Sequence, residues 1–178
     1  MRTARTIQVL ICTIGLGACL PATADAPPAR NFVTHLTGSE EVPPRDTEAT
    51  GQAAFRLSAD DTALHYRLIA SNIDNVVASH IHLGVFGTNG PVVAFLAGPF
   101  PPAGGAHDGV LGEGVITADD LVGPLAGMDL SVLAAAMRSG GTYVNVHTND
   151  GIDPGNEGPG DFPGGEIRGQ IRPAGPRE

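Results

Sequence analysis

Gly51 to Ser71 reads GQAAFRLSADDTALHYRLIAS. Two apolar, alternating runs flank a short polar stretch, SADDT. In the second run Leu64, Tyr66 and Leu68 fall opposite His65, Arg67 and Ile69, because successive side chains of a strand point to opposite faces. Asp60 and Asp61 supply the turn chemistry between the runs. The stretch therefore predicts two strands, Gly51 to Ser58 and Ala63 to Ser71, closed as a hairpin with those aspartates at its tip.

The same period recurs on either side. FVTHLT places Phe32, Thr34 and Leu36 on one face and Val33, His35 and Thr37 on the other. GSEEVPP breaks that strand, and Glu40 and Glu41 read as exposed charges ahead of Pro43 and Pro44. VVASHIHLG is a further strand, TNGP (Thr88 to Pro91) a turn, VVAFLAG a short apolar strand, and Pro99 to Gly109 a loop. VLGEGVIT follows as a strand, with Thr117 and Asp120 spaced as a capping box for a short helical turn. Asp129 to Arg138, DLSVLAAAMR, reads as the one helix. Leu130, Leu133 and Met137 recur at helical spacing with Val132 and Ala136 widening the stripe, Asp129 as N-cap and Gly140-Gly141 as stop. TYVNVHT alternates as a strand, Asn149 to Gly165 is a Gly/Pro/acid loop, and EIRGQIR closes the domain with Glu166 and Arg168 on one face as a candidate ion pair. Seven to eight short strands with one inserted helix near 129–138 predict an all-β, antiparallel, Greek-key-type β-sandwich or flattened barrel. The absence of regular strand–helix alternation argues against an α/β fold.

Composition agrees. Gly 25 and Pro 15 in 178 residues favour turns between short strands, and with aromatics at only 4% the core must come from Val, Ile, Leu and Ala. The net charge is −9 and every basic residue is Arg. An acidic chain with no basic cluster repels nucleic acid and anionic membrane alike. The N-terminus reads as an export leader: Arg2 and Arg5, an apolar run from Ile7 to Leu20, Pro21, and Ala22-Thr23-Ala24 ahead of a cut before Asp25. A second reading takes LGAC, Leu16 to Cys19, as a lipobox, which makes residues 1–18 a lipoprotein signal and Cys19 a lipidated anchor. Either way the protein is expected to be exported, secreted or periplasmic, with no membrane contact beyond that anchor. Both cysteines, Cys12 and Cys19, lie in the leader, so the mature domain has no disulfide. Residues 25–31 read as a linker and 173–178 as a disordered tail.

Candidate chemistry concentrates in SHIHLG, Ser79 to Gly84. Residues i and i+2 of a strand share a face about 7 Å apart, so His80 and His82 can converge on one ion. In TYVNVHT, Tyr143, Asn145 and His147 share one face, and His147 becomes a third imidazole if the two strands are neighbours. Three imidazole nitrogens suit zinc or copper. The competing reading makes the three histidines structural, each satisfied by a backbone carbonyl and a neighbour such as Asn145 or Thr148. His35, His65 and His107 read as surface or loop residues. Asp150, Asp153, Glu157 and Asp161 form an oxygen-rich loop without the spacing of a calcium loop, and a solvated acidic loop is the simpler reading. The chain has no G-x-S-x-G and no nucleophile–base spacing, so no catalytic residues are assigned.

Leu36 to Leu57 (LTGSEEVPPRDTEATGQAAFRL), Ala78 to Leu96 (ASHIHLGVFGTNGPVVAFL), and the later AGMDL, SGGTYVNVHT and GEIRGQI together resemble the CHRD family, named from chordin and found alone in many bacterial exported proteins. The resemblance covers 32–172 and departs at Asn149 to Gly165, which is usually a short turn in members. It implies an exported β-sandwich domain and no particular activity. A looser resemblance is to copper–zinc superoxide dismutases, in which an H-V-H pair and a later V-V-H supply three copper ligands and an acidic loop leads to an Arg near the metal. HIH, NVH, the long loop and Arg168 stand here in that order; the bridging histidine, the zinc cluster and the disulfide have no match. Two functions follow. One is a non-catalytic binding or adhesion module for an unknown protein or matrix component. The other is a copper- or zinc-binding protein using His80, His82 and His147, with dismutase-like redox chemistry as its furthest form.

Overall fold

The computed structural model describes residues 27–175; both leader readings, Cys12 and Cys19, and residues 176–178 lie outside the described residues. The Gly51–Ser71 reading holds. β2 (Thr50–Leu57) pairs in register with β3 (Leu64–Asp74), Phe55 opposite Tyr66 and Leu57 opposite Leu64. At the tip Ser58 Oγ donates to Asp60 Oδ1 at 2.6 Å, and Asp61 takes φ of 61°, a left-handed conformation that Asp tolerates better than most residues.

The other strands are β1 (Asn31–Thr37), β4 (Val76–Leu83), β5 (Val92–Ala97), β6 (Ala106–Ile116), β7 (Thr142–Thr148), β8 (Ile167–Gln170) and the two-residue β9 (Arg172–Pro173). They run in the order β5-β4-β7-β8-β1-β2-β3-β6, with β9 beside β1, and every pairing is antiparallel. The two ends of that path come back together. Tyr66 Oη on β3 donates to Leu96 O on β5 at 2.8 Å, and Gly112 of β6 lies so close that a Cβ there would overlap Leu96 O. The sheet is thus a nearly closed, flattened barrel, as the alternation predicts.

Several boundaries differ from the sequence reading. EIRGQIR is two strands interrupted at Ile171, whose side chain is completely buried and whose N donates to Thr142 O of β7 at 3.0 Å. Pro173 pairs with Phe32 and Ala174 N donates to Asn31 O at 2.9 Å, so the chain stays docked on β1 past residue 172. β6 begins at Ala106, which puts His107 on a strand and not in a loop. The helix α1 (Leu130–Arg138) buries Leu130, Leu133, Ala134 and Met137. Val132 is 40% exposed, so Ala134 and not Val132 widens its apolar face. Asp129 is at the N-cap without a side-chain hydrogen bond, whereas Thr117 and Asp120 form the expected capping box. No helix among the described residues is long and apolar enough to cross a membrane.

The core is mainly aliphatic, with Leu36, Leu68, Ile81, Val144, Val146, Ile167 and Met137 fully buried beside the aromatic Phe32. Ile81 stands between the two histidines of β4 but faces inward. Replacing it with Ala leaves a cavity among rigid strand neighbours, so Ile81→Ala is expected to cost about 2–5 kcal/mol of unfolding free energy, measured by denaturant titration.

Candidate metal centre

β4 and β7 are adjacent, with His80 opposite Asn145, His82 opposite Tyr143, and Ala78 opposite His147. The pleat sends Ile81, Val144 and Val146 into the core and all three histidines to the other face. Their ligand atoms lie within 4.8 Å of one another. His80 Nδ1 is 3.2 Å from His147 Nε2. Two nitrogens each about 2.0–2.1 Å from one tetrahedral ion stand about 3.3 Å apart, so that pair already has the spacing of shared coordination.

Loop carbonyls orient two of the rings. His82 Nδ1 donates to Gly90 O at 2.8 Å, and His147 Nδ1 donates to Pro163 O at 2.9 Å. A carbonyl only accepts, so each contact places the proton on Nδ1 and leaves a lone pair on Nε2. His147 Nε2 turns to His80. His82 Nε2 is buried and meets no hydrogen-bond partner among the described residues. On the β5 side, Phe95 sets its ring edge-on to His80 with centroids 4.8 Å apart, and is itself 51% exposed.

Each loop is held by a buried charge. Tyr143 stacks on His82, with centroids 4.8 Å apart and planes 12° from parallel, and from the β8 side the Arg168 guanidinium lies 3.4 Å from the same ring. Arg168 is fully buried and donates to Asn89 Oδ1 (3.0 Å), Thr88 O (2.9 Å) and Val85 O (3.3 Å). That clamps the loop whose Gly90 O orients His82. Glu166 does the same for the long loop: its carboxylate accepts from Thr47 Oγ1 (2.6 Å), Thr148 Oγ1 (2.7 Å) and Gly160 N (2.9 Å). Phe162 N then donates to Thr148 Oγ1 at 2.9 Å, which seats Pro163 over His147.

Burial lowers the proton affinity of all three imidazoles. For His80 burial is the largest cause, followed by His147 and His82, and the pKa falls to about 4. His82 and His147 are lowered for the same first reason, partly offset by the Gly90 and Pro163 carbonyls. The cluster is neutral at pH 7, the form a metal requires.

The structure also revises the alternatives. Thr148 is committed to Glu166, and Asn145 leaves its Oδ1 without a hydrogen-bond partner among the described residues. Glu166 and Arg168 form no ion pair, since each is saturated by other groups; the ion pairs among the described residues are Arg30–Asp61 and Arg67–Glu113. Glu41 is buried, not an exposed charge. Of the loop acids Asp153 and Glu157 are exposed, while Asp161 is buried and takes Glu157 N at 3.1 Å. Among the described residues no second group of histidine and acid ligand atoms converges as the three imidazoles do. His35 and His65 are exposed and stand apart from them. Sequence reasoning did not find Gly90 and Pro163, which act through their carbonyls and carry no side-chain signal.

A family model described as CHRD domain matches residues 32–171. No curated protein matches the chain.

Glu41 offers a test of how dry this region is. Burial raises its pKa from 4.5 to about 7, against the opposing pull of Arg168 and Arg45. The protonated carboxyl is the form the fold favours. Its stabilising contribution is therefore present below 4.5 and lost as pH rises through about 7. Glu41→Gln, neutral throughout, should gain in stability on wild type as pH rises across that window, read by denaturant titration at pH 4.5 and above pH 7.

Proposed function

The chain belongs to the CHRD domain family, and on that footing we propose that it is a non-catalytic exported binding module carrying a transition-metal site, for copper or zinc, built from His80, His82 and His147. One observation carries the reading: three neutral imidazoles on one face of a β4–β7 pair, with ligand atoms within 4.8 Å. The donor set has nitrogen ligands and no thiolate or carboxylate, which suits zinc and copper better than calcium or magnesium. The net charge of −9 favours approach of a cation. Export rests on the leader-like first residues of the sequence.

We limit the proposal to binding. In the dismutase-like form, an arginine beside the metal would steer an anion, but Arg168 is buried and its guanidinium is engaged by Val85, Thr88 and Asn89. A second reading, adhesion to a protein or matrix component, is favoured by Val85 and Phe86, 61% and 68% exposed on the loop that Arg168 holds.

Metal content of the purified protein after growth with added copper or zinc is the test. Wild type should carry close to one equivalent, and His80→Ala should bind at least about tenfold more weakly. Because the imidazole pKa values are lowered, the ion should be retained well below pH 6.5, where ordinary histidines take up protons and release metal. A wild type with no stoichiometric metal sinks the reading, and a His80→Ala variant that holds metal as tightly as wild type sinks the site.

A further inference from the structure

Asn145 occupies the centre of the histidine face. It lies directly opposite His80 in the β4–β7 register and two residues before His147 on the same side of β7. It is only 3% exposed. Its Oδ1 has no hydrogen-bond partner among the described residues, and neither has His82 Nε2. A protonated His82 would hydrogen-bond to Asn145, so the amide stands against that ring.

In the neutral ring this juxtaposition is unfavourable. His82 has its proton on Nδ1, facing Gly90 O at 2.8 Å, so its Nε2 presents a lone pair. Asn145 Oδ1 presents lone pairs of its own. Two buried acceptors side by side with no proton between them are both unsatisfied. The other end of the amide lies near the Gly165 turn and Glu41: a Cβ on Gly165 would sit 3.0 Å from Asn145 Nδ2 and would overlap Glu41 Oε1. A cation placed among the imidazoles satisfies both acceptors at once.

We propose that Asn145 is the fourth ligand of the metal ion, giving through Oδ1 a donor set of three imidazole nitrogens and one oxygen. The proposal rests on the three-imidazole reading. A nitrogen–oxygen set of this kind favours Cu(II) or Zn(II) over Cu(I), which prefers softer donors. The rival arrangement is a rotated amide, with Nδ2 donating to His82 Nε2 and Oδ1 accepting from a protonated Glu41. That network closes without an ion.

The experiment compares purified wild type, Asn145→Leu and Asn145→Asp, each loaded with Cu(II). Affinity is read by chelator competition, coordination by paramagnetic resonance and visible spectra, and apo-protein stability by thermal melting. Asn145→Leu removes the oxygen at similar volume; it should still take one equivalent, at least about tenfold more weakly, with shifted spectra. Asn145→Asp keeps an oxygen and adds charge; it should bind at least as tightly as wild type, also with shifted spectra. Asn145→Leu that matches wild type in affinity and spectra, with only a lower melting temperature, overturns the proposal in favour of the rotated amide. If Asn145→Leu does not fold, Asn145→Asp decides, and unaltered spectra there overturn it. Wild type that takes no copper overturns the three-imidazole reading and this one with it, whereas copper bound identically by wild type and both variants overturns Asn145 alone.

Discussion

Ile81 pairs with Val144, and Ser79 with Val146, in the antiparallel ladder between β4 and β7. The site depends on that register. Side chains alternate along a strand, so a slip of one residue would turn the valines outward and the histidines into the core. Burying Ile81, Val144 and Val146 completely opposes any such slip. Roughly 1.5–3 kcal/mol is at stake for each buried aliphatic side chain. The convergence of His80, His82 and His147 is therefore inherited from the hydrophobic core and requires no attraction among the imidazoles themselves.

Register brings the rings together; two loops decide how they point. Gly90 O and Pro163 O each take the Nδ1 proton of one ring. A loop carbonyl is precise only if its loop is rigid, and each of these is fixed by one buried charge. Arg168 gathers three acceptors from the Val85–Asn89 segment, and Glu166 gathers three donors that tie β7 and the long loop together. A buried charge left unpaired is costly, so the partners of each are bound as tightly as the charge needs them. Arg168 on β8 and Glu166 just before it thus set the orientation of rings on β4 and β7 through the loops they hold.

The hairpin at Gly51–Ser71, the helix and the shared face of Tyr143, Asn145 and His147 were legible because each rests on local period or turn chemistry. Strand order was not. That β7 lies between β4 and β8 follows from long-range burial, which no window of sequence contains. Glu166 and Arg168 show the same limit: two residues apart in sequence and opposite in sign, they look like an ion pair on one strand, but β8 begins only at Ile167. Tertiary neighbours saturate each separately. Glu41, beside Pro43 and Pro44, carries every local mark of an exposed charge. Only the packing of the Gly165 turn against it shows that it is inside.

A structural histidine cluster and a metal-binding one differ in how their nitrogens are used. In the first, both nitrogens of each ring meet complementary groups, as buried polar atoms generally do. Here the Nδ1 atoms of His82 and His147 are satisfied by the loops, and His147 Nε2 faces His80 Nδ1. His80 can give one proton to His147 Nε2, at 3.2 Å, and so close a single bond. His82 Nε2 and Asn145 Oδ1 then remain, buried and without donors. Apolar side chains of similar shape would fill that face at little cost, since removing both partners of a buried polar contact is close to neutral. Lone pairs directed inward at a common point, with burial holding the rings neutral, are a liability for packing, and that liability is what the proposed cation would offset.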